Sequence, residues 1–204
     1  MLRKLAAAAV FSVLCLLPAH SQQSTVPYDR HNVDEILGFE ARGSGALPAG
    51  WSGNSADTVA AEGDVVHSGS WAVRLDRSAH PAGNFSGITS AIPIDFTGKQ
   101  IELSGFLRAS DVSGSAGLWM REDGDAGMLQ FDNMQHHPLA GTHDWQKFSI
   151  RLPVDADANR LVFGALLPGT GILWVDDLQL MVDGNPIALA PQRAPEPVET
   201  DQAF

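Results

Sequence analysis

The sequence predicts an all-β protein, a two-sheet antiparallel β-sandwich of jelly-roll topology. Clusters of Gly, Pro, Asn, Asp or Ser interrupt the central chain about every 8–12 residues, a spacing typical of short strands joined by turns. Phe148, Ile150 and Leu152 alternate with polar residues, as in a strand with one buried face. No apolar stripe of helical period occurs beyond residue 21. These three observations favour strands throughout the folded part of the chain.

Ten segments have the composition of strands. In chain order they are 36–41, 58–62, 71–76, 85–92, 100–108, 116–122, 128–133, 145–152, 160–166 and 172–182. The loop 122–127 contains Gly124 and Gly127 and predicts a hairpin between two of these strands. Trp174 alternates with Ile172 and is expected in the core. At about 100–200 residues per domain, the segment 36–184 is expected to be one jelly-roll domain.

The first 21 residues have the features of a secretory signal peptide. Arg3 and Lys4 precede the apolar run 5–17, which is too short to span a bilayer as a helix. We expect this helical segment to be cleaved after Ser21, leaving 22–35 as a polar lead-in; the alternative is an uncleaved membrane anchor. Cleavage removes the only cysteine, Cys15, which excludes disulfides within the chain and Cys-based zinc sites. The expected localisation is periplasmic or secreted, without membrane attachment after cleavage.

The last segment, 185–204, is predicted to be a disordered, proline-rich tail. It contains Pro186, Pro191, Pro195 and Pro197 with scattered acidic residues, a composition typical of a linker. The lead-in and this tail enclose about 150 residues, which are enough to bury a full core by the usual size scaling.

The chain is acidic, with 13 Lys+Arg against 24 Asp+Glu and a net charge of −11. Loss of Arg3 and Lys4 with the signal peptide leaves 11 cations against 24 acids, a balance of −13. Phosphate binding needs clustered Lys and Arg, so the composition excludes a basic nucleic-acid footprint and disfavours anionic membranes. Most of the acidic residues are expected to be solvated.

Five segments resemble a known architecture. They are LGFE at 37–40, PAGW at 48–51, HSGSWAVRL at 67–75, DWQKF at 144–148 and GILWVDDLQL at 171–180. Together they resemble the carbohydrate-binding-module type of jelly roll, within the galactose-binding-like β-sandwiches. AGLWMR at 116–121 with FDNM at 131–134 is similar to a narrower subset, the accessory domains of exported bacterial proteins, sometimes ahead of S41-type peptidase domains. The resemblance implies a fold that serves sugar binding, protein contact or spacing in different proteins.

The resemblance also implies a structural Ca²⁺ near the first and last strands. Carried over by position, Glu40 and Asp177 are the candidate carboxylate ligands, with carbonyls from the turn 67–70. Ca²⁺ takes about six to eight oxygen ligands and links the segments that supply them. The alternative is that both acids lie at strand ends in solvent.

The best candidate ligand site combines Trp119, Arg121, Asp132 and Asn133. Trp119 and Arg121 share a strand face by the period of two, and an antiparallel neighbour can bring Asp132 or Asn133 alongside. An aromatic ring stacks on the apolar face of a sugar while polar neighbours bond its hydroxyls. In the alternative, Trp119 fills the core and Arg121 forms an ion pair with Asp132.

Catalytic and other metal sites have weaker support. His136, His137 and His143 fall in a loop without fixed ligand geometry and are expected to be solvated. The chain lacks the G-x-S-x-G, H-E-x-x-H, P-loop and dinucleotide-binding motifs. Glu122 and Asp132 could flank a glycosidic bond, but the sequence shows neither their separation nor a raised pKa. The chain is therefore not expected to be an enzyme.

The expected function is an exported, non-catalytic binding module that recognises a carbohydrate, a cell-envelope glycan or another polar small ligand. The alternative is a protein-interaction or spacer domain, related to accessory domains of exported hydrolases and acting with a protein partner. No nucleic-acid partner and no cofactor beyond Ca²⁺ are expected.

Overall fold

The computed structural model describes residues 33–41, 47–79 and 83–194. The predicted signal peptide, most of the predicted lead-in and residues 195–204 of the predicted tail lie outside the described residues. The elements in these ranges are α1 Val33–Leu37, β1 Ser52–Gly53, β2 Val59–Glu62, β3 Ala72–Asp76, β4 Ser86–Pro93, β5 Gln100–Gly124, β6 Gly127–Asp132, β7 Leu139–Pro153, β8 Arg160–Leu167, β9 Thr170–Val182, β10 Asn185–Pro186 and a 3₁₀ helix Ile187–Leu189. Neither described helix has the length and apolar composition needed to cross a membrane.

The strands form two antiparallel sheets that share β5. We call β1–β4–β8–β5–β6 the front sheet and β2–β3–β9–β5–β7 the back sheet, and β10 pairs with β9 beside the latter. The first half of β5 pairs in the back sheet, and its second half pairs in the front sheet. The predicted all-β, two-sheet jelly-roll sandwich is therefore confirmed.

β5 runs for 25 residues and bends from one sheet into the other. Its residues 101–113 pair with β9, and its residues 117–123 pair with β8. Register shifts and the positive φ angles of Asp111 (52°) and Gly114 (85°) turn the chain between these two pairings. The sequence predicts two strands, 100–108 and 116–122, because the polar residues between them resemble a loop. Bulges allow the same residues to continue one strand.

The core lies between the two sheets. Leu118, Met120 and Phe163 of the front sheet belong to one fully buried cluster with Leu107 and Val175 of the back sheet. Burial of each such side chain contributes about 1.5–3 kcal/mol. Because side chains alternate along a strand, this cluster leaves the outer face of each sheet free to carry polar and aromatic groups.

The first predicted strand, 36–41, is wrong. The structure has α1 there, followed by a turn in which the Gly38 N–H donates to the Asp34 carbonyl at 2.9 Å. Val33 and Leu37 lie one helical turn apart and are both buried, so the apolar spacing is helical. Phe39, with a φ of 62°, belongs to the turn. The alternation of Leu37 and Phe39 thus comes from a helix end, and α1 includes the last residues of the predicted lead-in.

The structure places residues 185–193 against the sandwich rather than in a tail. β10 pairs with β9, and Ile187 and Ala190 are buried. The Arg193 N–H donates to the Asp95 carbonyl at 2.7 Å. Apolar residues between the prolines therefore extend the folded part of the chain beyond the predicted boundary at 185.

Candidate functional site

The outer face of the front sheet carries two of the predicted ligand-binding residues. Trp119 and Arg121 point outward because their neighbours Leu118 and Met120 are buried in the core. Arg121 lies opposite Phe131 of β6, and Phe131 is 48% exposed. We call Trp119, Arg121 and Phe131 the outer platform.

Gly164 of β8 makes room for the Trp119 ring. It lies opposite Trp119 in the pairing of β5 with β8. A Cβ atom at this position would lie 3.2 Å from Trp119 Nε1 and would overlap the carbonyl of Ile88. Glycine therefore allows close approach of the ring and of the neighbouring strand. Trp119 is half-buried on the outer face, so the alternative in which it fills the core is wrong.

Asp132 and Asn133 are placed differently from Trp119 and Arg121. Asp132 lies opposite the buried Met120, so its side chain is on the other face of the sheet from Arg121. Its Oδ1 accepts a hydrogen bond from the Met134 N–H at 2.8 Å. Asn133 directly follows β6 and is half-buried. The structure thus brings two of the four predicted residues together and separates Asp132 from them.

A groove of about 450 Å³ opens at the hairpin end of the outer platform. Its polar lining consists of Arg121, Asp123, Asp125, Asn159 and Arg160. Arg121 Nη2 donates to Asp123 Oδ2 at 2.7 Å, so Asp123 rather than Asp132 is its ion-pair partner. Asn159 Nδ2 donates to Asp125 Oδ1 at 2.6 Å. The volume falls in the range of small-molecule sites, about 300–1,000 Å³.

Most of the groove residues are missed by sequence reasoning. The sequence predicts the hairpin 122–127 but assigns no role to Asp123 or Asp125. Arg160 lies opposite Asp123 because β5 pairs with β8, which is distant in the chain. The available signal is a polar cluster, 155–160, at the start of a predicted strand. That cluster cannot be assigned to the site until the pairing of β5 with β8 is known.

The predicted calcium ligands both contact the turn 67–70. Asp177 Oδ1 accepts a hydrogen bond from Ser68 Oγ at 2.8 Å, and its Oδ2 contacts His67 Nδ1 at 2.5 Å. Glu40 Oε1 accepts a hydrogen bond from the Ser70 N–H at 2.9 Å. The turn therefore offers hydrogen-bond donors to these carboxylates, whereas the resemblance implied carbonyl ligands beside them.

This arrangement does not fit a calcium ion. Ca²⁺ needs about six to eight oxygens with lone pairs directed at it. Here the Glu40 and Asp177 oxygens accept hydrogen bonds, and Glu40 occupies the space that a side chain at Gly69 would need. In the part of the chain that the structure describes, no group of three or more His, Cys, Asp or Glu could hold a metal. The calcium site stays a prediction that this geometry does not support.

Asp176 is a buried carboxylate that sequence reasoning misses. Its oxygens accept the N–H groups of His67 at 2.7 Å, Ser68 at 3.2 Å and Asp177 at 2.7 Å. Burial raises the pKa of Asp176 to about 6, against the lowering effect of these hydrogen bonds. The His67 ring also stacks on Phe106, with centroids 3.6 Å apart. Together these contacts fasten the turn to the back sheet.

Trp174 lies on the outer face of the back sheet, so its expected core position is wrong. The inward positions beside it are taken by Leu173 and Val175, which are fully buried. Trp174 pairs across strands with Arg74 and Arg108. The Arg108 guanidinium lies 5.6 Å from the centroid of the Trp174 ring, within cation–π range. A shift of one residue in a strand moves every side chain from the core face to the solvent face. The sequence alone does not show which face of β9 carries Trp174.

Glu122 lies in the interior of the sandwich, where it cannot flank a glycosidic bond. It is fully buried and lies opposite Leu161. Its Oε2 accepts a hydrogen bond from the Asp155 N–H at 3.0 Å. Burial raises the pKa of Glu122. The raised pKa that a general acid requires is thus present on a group without access to a ligand.

Sequence comparison finds one partial relative. No family model matches the chain. A protein of Bacillus subtilis strain 168, the uncharacterised HTH-type transcriptional regulator YbfP, is 38% identical over 96 residues. The matched segment is 46% of this chain and 32% of that protein. The chain therefore matches about a third of the relative's length, and no family membership follows.

Solved structures are similar at low sequence identity. The enzymatically active domain of tailspike protein 4 of bacteriophage CBA120 has a TM-score of 0.51 at 14% identity, over 72% of this chain and 21% of that one. A family 16 carbohydrate-binding module has a TM-score of 0.48 at 14% identity, over 65% and 91% of the two chains. The module TmCBM61, in complex with β-1,4-galactotriose, has a TM-score of 0.46 at 11% identity, over 74% and 96%. The jelly-roll β-sandwich implied by the sequence resemblance is confirmed at the level of fold.

Proposed function

We propose that the chain is an exported, non-catalytic module that binds carbohydrate on the outer platform and in the adjoining groove. The observation that carries the proposal is that Trp119, Arg121 and Phe131 share the outer face of the front sheet. Arg121 also lines the adjoining groove of polar groups. Aromatic rings stack on the apolar C–H faces of sugars, and polar groups around them bond the hydroxyls.

The polar groups of the groove suit sugar hydroxyls, which both donate and accept hydrogen bonds. Asp123 and Asp125 supply acceptor oxygens, while Arg121 and Asn159 supply N–H donors. Each acid is already oriented by its partner. Less side-chain freedom is therefore lost on binding than for free side chains, which favours affinity.

The positions of the acids support binding without catalysis. Glycosidases place two carboxyl groups on either side of the bond that they cleave, and one has a raised pKa. Glu122 has the raised pKa but is fully buried, and Asp123 is ion-paired with Arg121. The described acids near the groove therefore suit recognition of hydroxyls better than acid–base work.

The name of the Bacillus relative includes a helix-turn-helix, a motif that requires two helices. Among the described residues, the sole α-helix is α1, with five residues. We therefore assign no DNA-binding role to this part of the chain.

Calorimetry with the purified chain tests the sugar site. The panel comprises xylo-, gluco-, galacto- and manno-tetraose and soluble peptidoglycan fragments. We expect weak binding of at least one sugar, and Trp119→Ala should weaken it about tenfold or more because the stacking surface is lost. Trp174→Ala is the matched control, since it removes a half-buried tryptophan from the opposite sheet, and it should leave affinity within about twofold of the unmodified chain.

Two results would contradict this proposal. One is the absence of binding to every member of the panel, and the other is an equal loss of affinity in both tryptophan variants. Specific capture of a protein by the outer platform, lost in Trp119→Ala and without sugar binding, would instead establish the protein-interaction alternative.

Export is proposed from the segment 1–21. Expression of the full sequence in bacterial cells, followed by fractionation and N-terminal sequencing, should place the chain in the periplasm or medium with Gln22 as its first residue. A cytoplasmic chain that retains its leader contradicts this part of the proposal.

A further inference from the structure

Among the residues that the structure describes, Arg160 is a cation whose side chain has no partner. Four other described arginines form ion pairs with carboxylates: Arg74, Arg108, Arg121 and Arg151. Two more, Arg77 and Arg193, donate to backbone carbonyls. Arg160 is exposed, and its guanidinium makes no hydrogen bond or ion pair with any described residue, although its backbone pairs within the front sheet. With 24 acids against 13 cations in the sequence, an arginine left unpaired is available to an anion from outside the chain.

Arg160 is part of the groove of the candidate site. It lies opposite Asp123 in the pairing of β5 with β8. Asp123 is engaged by Arg121 at 2.7 Å, and Asp125 accepts a hydrogen bond from Asn159 at 2.6 Å. Neither acid of the groove forms an ion pair with Arg160. In the part of the chain that the structure describes, the groove thus combines hydroxyl-binding groups with one guanidinium, that of Arg160, that no protein acceptor engages.

We propose that the groove binds a glycan that contains a uronic acid, with the carboxylate held by Arg160. This inference rests on the proposed function and names its substrate class. A planar guanidinium matches a carboxylate through two parallel N–H···O bonds, a geometry that a neutral hydroxyl cannot reproduce. Trp119 and Phe131 of the outer platform then lie beside the neutral rings of the same glycan.

The charge of the protein favours a sparsely carboxylated glycan over a dense polyanion. The net charge of −11 repels a chain that carries an anion on every ring. Asp125, on the groove wall, adds a local repulsion. The Arg160 guanidinium accommodates one carboxylate, so we expect the neighbouring sugars of the ligand to be neutral.

A matched pair of probes tests this inference by calorimetry. The first probe is a xylotetraose that carries one glucuronic acid branch, and the second is the same compound with its carboxyl group reduced to an alcohol. We expect the charged probe to bind about tenfold more tightly. Arg160→Gln should remove that difference, so that the variant binds the charged and the reduced probe with affinities within about twofold of each other. Oligogalacturonate, with a carboxylate on every ring, should bind more weakly than the singly charged probe.

Arg151→Gln is the control for the loss of a positive charge. Arg151 is exposed on the back sheet and donates to Glu102 at 2.5 Å, away from the groove. This variant should retain the tenfold preference for the charged probe. If it loses the preference as Arg160→Gln does, the effect is a general one of net charge and the inference is overturned.

A charged probe that binds no more tightly than its reduced form overturns the inference, and absence of binding by both probes counts as that result. The neutral sugar panel decides the proposed function separately. A neutral sugar that binds through Trp119, without any preference for a uronic acid, leaves the module intact and removes only its proposed substrate class.

Discussion

The two outer faces of the sandwich carry similar residue types in different bonding arrangements. On the front sheet, Arg121 pairs with the Asp123 side chain, and Phe131 beside it is 48% exposed. On the back sheet, Asp176 is fully buried and accepts three backbone N–H groups, including that of His67. Aromatic, cationic and acidic side chains are present on both faces. The two faces differ in the hydrogen-bond and ion-pair partners of these side chains rather than in the residue types.

The different partners of the carboxylates indicate that the back-sheet group stabilises the fold, whereas the front-sheet group is available for ligand recognition. A carboxylate that accepts several backbone N–H groups is required by the fold, because its loss leaves buried donors without partners. A carboxylate held by an arginine at the rim of a groove can instead exchange part of its bonding with a ligand. We therefore expect substitutions on the back sheet to change the free energy of unfolding and those on the front sheet to change affinity.

The largest expected effect is that of Asp176→Ala. The substitution leaves three backbone N–H groups of the turn and of β9 without an acceptor. At about 1–3 kcal/mol for each buried unsatisfied group, the free energy of unfolding should fall by about 3 kcal/mol or more. Urea denaturation followed by tryptophan fluorescence measures this loss. The folded fraction of the variant should still bind the sugar with unchanged affinity.

Trp119→Ala should have the opposite pattern of effects in urea denaturation and in sugar binding. It should lower sugar affinity while changing the free energy of unfolding by less than Asp176→Ala does, because the Trp119 ring is half-buried on an outer face. Either of two results would contradict the hypothesis that the back sheet determines stability and the front sheet determines affinity. One is weaker sugar binding by folded Asp176→Ala, and the other is a larger loss of stability in Trp119→Ala than in Asp176→Ala.

The sequence predicts the strands well because each is a local pattern. Phe148, Ile150 and Leu152 alternate in the sequence, and β7 has Ile150 and Leu152 buried. The helix α1 is missed because five residues are too few to show a helical period. The single strand β5 is missed because its bulged centre, near Asp111 and Gly114, has the composition of a loop.

The candidate site is only half predictable because it depends on register. Trp119 and Arg121 share a face by local alternation, which the sequence contains. Asp132 is assigned to their face because nothing local shows that it lies opposite Met120 rather than Arg121. Arg160 joins the site through a pairing between distant strands, and that pairing is a property of the whole fold.

The pH dependence of stability distinguishes the two faces by a smaller effect. Burial raises the pKa of Asp176 from an ordinary 3.8 to about 6 in the folded chain. The Asp176 carboxyl group therefore binds its proton more tightly in the folded chain than in the unfolded chain. The contribution of Asp176 protonation to the free energy of unfolding is greatest below about pH 4 and is lost as pH rises through about 6. At about 1.4 kcal/mol per pKa unit, the full change is about 3 kcal/mol.

Urea denaturation at several pH values between about 4 and 7 measures this slope. Asp176→Asn should flatten it, because the neutral amide has no proton to lose. The buried Glu122 also has a raised pKa and contributes with the same sign in both proteins, so the difference between the two curves isolates Asp176. Parallel curves would show that Asp176 titrates alike in the folded and unfolded chains. Since Asp176 belongs to the back sheet, its titration should change the free energy of unfolding between about pH 4 and 7. Sugar affinity should depend on pH in the same way in the unmodified chain and in Asp176→Asn.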